Sequence, residues 1–154
     1  MFSKLFTGIY WVLHENLYKD IKEFDTSVLT QKGFSEGEIL AVVNYIAEKN
    51  YNTSYIWNDT QPRPFNEPET QHISLEARMA IQLFQKANLM DAEETEELIE
   101  HIMEDNLPNA GISYHQKVGL DMVCKMAFLM FVQTGSPYKK DHNTPNFTGE
   151  EKIC

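Results

Sequence analysis

Cysteine is scarce in this chain: only Cys124 and Cys154 occur in 154 residues, with no C-x-x-C pair. That spacing supports neither a zinc knuckle nor a dithiol redox motif, and the default compartment is the reducing cytoplasm. Glycine and proline are few as well, seven and six. The glycines are scattered, so no Gly-rich phosphate loop and no Gly-x-Ser-x-Gly nucleophile elbow can be assembled from them. Long apolar runs are missing too. The most apolar stretch, Met126-Ala127-Phe128-Leu129-Met130-Phe131-Val132, falls well short of the roughly 20 residues a membrane span requires. It reads instead as a buried core helix. The N-terminus is apolar, but His14-Glu15-Asn16 follows without a small-residue cleavage site, which indicates a folded helix rather than a secretion signal.

Positive charge is in short supply beside negative charge. Thirteen Lys and Arg face 23 Asp and Glu, a net charge of −10, and Lys139-Lys140 is the only basic cluster. The imbalance is concentrated: residues 1–66 carry 6 bases against 8 acids, residues 67–135 carry 4 against 12, and residues 136–154 carry 3 against 3. Binding to nucleic acid depends on neutralising phosphates with Lys and Arg. Nucleic acid and anionic membranes therefore make poor partners, and basic protein surfaces make good ones.

What is present is helical periodicity. Phe2, Leu5, Phe6, Ile9, Tyr10, Val12, Leu13 and Leu17 fall at the three-and-four spacing of a broad apolar face, with Trp11 off it. Asp25 is placed to cap a short helix through Val28 and Leu29 that stops at Gly33. Ser35 and Glu38 form a capping box for a helix carrying Ile39, Leu40, Val42, Val43 and Ile46. This order outlines a helix-turn-helix. Tyr51–Trp57 alternates like a strand and Arg63-Pro64-Phe65 could return beside it, which would make a wing; an irregular loop is the alternative. The polar residues at the recognition position are Glu36, Glu38, Asn44, Glu48 and Lys49. Two acids at a helix start meet phosphates with the wrong sign.

Asn66, with Pro68 and Glu69, predicts the next helix, running to about Ala87 with Ile73, Ala77, Ala80, Ile81 and Phe84 inward. Asp91 caps another with Leu98, Ile99, Ile102 and Met103 inward. A loop through Asn106–Gly111 leads to Ser113 and Gln116, a cap pair for a long final helix that stops at Thr134-Gly135. The polar, aperiodic residues 136–154 read as a disordered tail.

Candidate chemistry is thin. Glu97 and His101 lie four apart on one helix face and could share a metal, but that spacing is wrong for the Glu-x-x-His pair of di-iron bundles. The histidines, His14, His72, His101, His115 and His142, share no ligand spacing. The run Glu93, Glu94, Glu96, Glu97, Glu100 reads as a solvated helix face or as a docking surface for a basic partner.

Several short motifs, in order, resemble the bacterial Smg family, which carries a domain of unknown function. They are the Met1-Phe2 start, Gly33-Phe34 before Ile39, and Arg63-x-Phe65-Asn66-x-x-Glu69, which looks like the family's Arg-x-Tyr-Thr-Pro-Glu-Glu. Ala77-Arg78, Leu83-Phe84, Ala87-Asn88-Leu89, Leu98–Met103 and an apolar helix closing at Gly135 follow in similar register. Where the family tends to have Leu-Lys-Trp early in its last helix, this chain has Met122-Val123-Cys124. The resemblance covers about residues 1–135 and implies an all-helical, cytoplasmic bacterial protein with little or no sheet. It brings no catalytic residue.

Together these readings give a mainly α protein. Residues 1–65 form a helix-turn-helix lobe, winged or not, packed on a three-helix lobe of residues 66–135 that shares its core. The expected function is a non-enzymatic interaction or regulatory protein without cofactor or metal. A nucleic-acid-associated regulator and a metal-dependent enzyme are the alternatives. The residues assigned to partner contact are Trp11, Asn44, Trp57, Glu93, Glu96, Glu97 and Glu100.

Overall fold

A computed structural model of the chain describes residues 3–105 and 117–133. Among the described residues seven α-helices follow one another: α1 (Leu5–Glu15), α2 (Ser27–Gln31), α3 (Glu36–Lys49), α4 (Glu67–His72), α5 (Leu75–Lys86), α6 (Ala92–Asp105) and α7 (Leu120–Phe128). A 3-10 turn precedes α2 at Ile21–Glu23, and a π-helical turn, Leu129–Gln133, continues α7. The class is mainly α, as the helical periodicities imply.

The core is organised around α1 and α7. Leu5, Phe6, Gly8, Ile9, Tyr10, Val12 and Leu13 are all buried on α1, which packs against α7, α3, α2 and α5. Each fully buried large apolar side chain of this set contributes about 2 kcal/mol. The helix α7 packs in turn on α1, α5 and α6, burying Leu120, Val123, Cys124, Met126, Ala127 and Phe128. Side chains from residues 5–57 and residues 73–128 fall in one hydrophobic cluster. Only the first half of the expected apolar run is buried: Leu129 is exposed, and Met130, Phe131 and Val132 are partly covered on the π turn.

Two expected helices are cut differently. The pattern from Asn66 to Ala87 divides into α4 and α5 at Ile73-Ser74. There Ile73 takes an extended conformation and the Ser74 side chain caps α5 by accepting from the Ala77 amide at 3.1 Å. A single parallel bridge holds the break: Val118 N–H donates to the His72 carbonyl at 2.8 Å, and Ser74 N–H donates to Val118 at 2.9 Å. The same bridge keeps residues 117–119 extended, so α7 begins at Leu120 and not at Ser113. The Asn106–Gly111 loop, the Ser113–Gln116 cap, the stop at Thr134-Gly135 and the tail of residues 136–154 lie outside the described residues.

The wing is not formed: residues 53–66 contain no strand. Several of their backbone groups are satisfied elsewhere. Ser54 accepts from Ile21 N–H at 2.8 Å, Asn58 N–H donates to Lys86 at 3.0 Å, and Ile56 accepts from the Asn88 side chain at 2.8 Å. Pro62 and Pro64 have no N–H to offer a ladder. Asn50, Asn58 and Asn88 knit the segment to two helix ends. The Asn50 amide donates to Ile46 at 2.9 Å and Ala87 at 3.0 Å, the Asn88 amide to Asn50 at 3.0 Å, and the Asn58 amide to Asn88 at 2.8 Å.

Among the described residues three helices end in the same motif, in which the N–H of the second residue past the cap donates to the carbonyl five positions back and the first residue sits in the left-handed region. At α2 that first residue is Gly33 (φ 90°), with Phe34 N–H on Leu29 at 3.0 Å. At α5 it is Asn88 (φ 63°), with Leu89 N–H on Phe84 at 2.8 Å. At α3 it is Tyr51 (φ 56°), with Asn52 N–H on Ala47 at 2.8 Å.

Candidate docking surface on the acidic helix

The helix α6 starts at a reciprocal cap. Asp91 accepts from Glu94 N–H at 2.7 Å, and Glu94 accepts from Asp91 N–H at 3.0 Å. Glu94 is thereby drawn out of the acidic run into a buried structural position. Leu98, Ile99 and Ile102 turn inward, and Glu93, Glu96, Glu100 and Glu104 stay exposed, with Glu97 half-buried. Glu96, Glu100 and Glu104 recur at four-residue intervals and so form one row, in which like charges repel by a few tenths of a kcal/mol per pair.

Arg63 sits against the start of that row. Its guanidinium donates through Nη1 and Nη2 to the two carboxylate oxygens of Glu69, at 2.5 and 2.9 Å. Through Nε and Nη2 it also reaches both oxygens of Glu96, at 2.5 and 3.1 Å. The Phe65 ring lies beneath, 5.6 Å from the guanidinium carbon. Glu69 simultaneously completes the α4 capping box, accepting from Asn66 N–H at 3.1 Å while Asn66 accepts from Glu69 N–H at 2.9 Å. Hydrogen bonds from Arg63 hold the Glu69 carboxyl below the usual range, and those from Glu69 and Glu96 keep Arg63 protonated more firmly than usual. The Arg63–Glu69 stretch therefore acts as one clasp between the extended segment, α4 and α6.

Beside the clasp runs a groove of about 510 Å³. Glu69, Glu96, Glu100 and Glu104 wall it and Ile99 and Met103 floor it. Carboxylates over an apolar floor can attract a cation and bury the hydrocarbon that carries it.

The other residues assigned to partner contact are dispersed. Asn44 stands exposed on α3. Trp11 lines a separate groove with Glu76 and Met122, and Lys32 lies 3.8 Å from its ring centroid. Trp57 has to be withdrawn as a contact. It is buried, its indole N–H donates to the Lys19 carbonyl at 2.9 Å, and its ring packs on Tyr18 at 5.7 Å. Among the described residues no three His, Cys, Asp or Glu side chains gather as a metal site, and no helix is long and apolar enough to cross a membrane. Sequence reasoning did not assign Arg63 to the surface. The available signal was its isolation: no other Lys or Arg occurs between Lys49 and Arg78.

A family model described as a protein of unknown function (DUF494) matches residues 6–132. No curated protein and no solved structure matches the chain.

Proposed function

Because the chain belongs to the DUF494 family, the Smg family its motifs resemble, and that family brings no activity with it, we propose a function from the surface itself: a non-enzymatic interaction or regulatory protein that docks a basic segment of a protein partner along α6. The observation that carries this reading is the groove between Glu69 and Glu104, where the carboxylates of Glu100 and Glu104 lie outside the Arg63 clasp beside Ile99 and Met103. Charge supplies attraction that is screened beyond about 8 Å at physiological salt. The apolar floor supplies affinity that salt does not remove. Phosphates of a nucleic acid or an anionic lipid would meet the same carboxylates with repulsion.

The test is capture from native lysate at moderate salt, with and without nuclease, read by mass spectrometry and repeated with Glu100→Lys and Glu104→Lys combined. Both substitutions lie on the groove wall outside the Arg63 clasp, so the helical circular-dichroism signal should persist. A protein partner that survives nuclease and is lost with the double reversal is the expected result. Capture indifferent to the reversal removes α6 from consideration. Partners that vanish with nuclease favour a nucleic-acid-associated regulator instead.

A further inference from the structure

Another groove, of about 640 Å³, opens where α3 ends and α6 begins. Tyr51, Tyr55, Leu89 and Met90 are among the residues that line it. Glu48, Asp91 and Glu94 contribute three acids against one base, Lys49, whose ammonium lies 5.8 Å from the Tyr45 ring centroid. Tyr51 is the unusual member. At the equivalent left-handed position the ends of α2 and α5 use Gly33 and Asn88, residues that tolerate positive φ. The end of α3 instead uses a tyrosine that is 91% exposed. Its ring buries almost nothing within this chain, so the backbone cost of its conformation has no return in packing.

We propose that this groove anchors an arginine side chain of the partner, its guanidinium lying on the tyrosine rings and its charge answered by the surrounding carboxylates. Guanidinium groups stack on aromatic faces and pair with carboxylates, and they shed water more readily than ammonium groups do. The proposal rests on the reading of α6 as the docking helix, because Asp91 and Glu94 are that helix's cap. It adds a specific side chain to that reading.

The experiment is a chemical-shift titration of the full chain with N-acetyl-arginine N-methylamide, against the citrulline analogue, which has the same shape without the charge. Saturable shifts at Tyr51, Tyr55 and the amides of residues 88–91 are expected, with citrulline about tenfold weaker. Tyr51→Gly supplies the separating variant. It relieves the left-handed strain, so it should raise the melting temperature by a few degrees while weakening the arginine derivative about fivefold or more. A purely structural Tyr51 would show the first effect without the second. The proposal is overturned if the shifts do not saturate, if citrulline matches arginine, if shifts appear only beside Glu100 and Glu104, or if Tyr51→Gly binds unchanged. Glu100→Lys with Glu104→Lys should leave this titration intact. Loss of partner capture by that pair with an unresponsive groove here would sink the anchor and keep the docking helix.

Discussion

Arg63 and Glu69 were partly legible from the chain alone. Asn66 and Glu69 stand three apart ahead of an apolar-periodic stretch, and that spacing names a cap because both hydrogen bonds are local. The second job of Glu69, holding Arg63 six residues earlier together with Glu96 on α6, depends on packing that no local spacing encodes. Arg63→Ala would leave the Glu69 carboxylate, at 9% side-chain exposure, without its main partner. The expected loss is about 1–3 kcal/mol by urea denaturation at neutral pH. Glu96 adds little to that figure, since 57% of its side chain is in water. The pH dependence has a definite sign. Because Arg63 holds the Glu69 carboxyl below its ordinary range, the stabilisation is complete above the unfolded value of about 4.3. It is lost as pH falls through the lower folded value. The stability difference between the wild type and Glu69→Gln should therefore be full at pH 6 and shrink steadily below about pH 4. A difference that stays constant from pH 6 to pH 3 would show that the pair is energetically idle.

Elements were legible where a reciprocal cap, two polar side chains three residues apart, marks the start. Ser35 with Glu38, Asn66 with Glu69, and Asp91 with Glu94 each start a helix where the sequence places one. Asp25 works one position earlier than the helix boundary suggests, accepting from Ser27 N–H at 2.9 Å. The division of α4 from α5 escaped because Ile73, Ala77, Ala80 and Phe84 keep a helical spacing straight through it. Only the distant Val118 makes the break worth forming. Gly8 escaped for a related reason. It looks like a weak point inside α1, yet a Cβ built there would stand 2.9 Å from both Phe34 Cε2 and Val42 Cγ2. The glycine sets how closely α1 can approach the α2–α3 turn. Gly8→Ala would gain about 1 kcal/mol of helix propensity and lose about 1–3 kcal/mol to overpacking. The net expectation is a modest fall in the denaturation midpoint. Pairing it with Val42→Ala should recover part of that crowding term, whereas simple additivity of the two losses would place the fault elsewhere.

At the scale of the whole molecule, α1 and α7 tie the early and late halves of the chain into one core, and Cys124 marks their junction. Its thiol is 1% exposed, and burial pushes its pKa up to about 12, against the opposing effect of a hydrogen bond with Thr7. A thiol that is both buried and protonated can react only when α7 leaves α1. In a Cys154→Ser variant, then, modification by a disulfide reagent at pH 8 should be slower than that of a free cysteine by about a thousandfold or more, the scale of a folding equilibrium. The rate should climb with urea in parallel with the loss of helical signal, because opening the core and unfolding the protein are then one event. Arg63→Ala should accelerate it as well, although the clasp joins α4 and α6 and Arg63 shares no hydrogen bond or ion pair with Cys124. Labelling within about tenfold of a free cysteine would instead mean that α7 separates from α1 locally, at a small fraction of the global unfolding free energy. That outcome would leave the docking helix α6, which packs on α7, on a movable support rather than a fixed one.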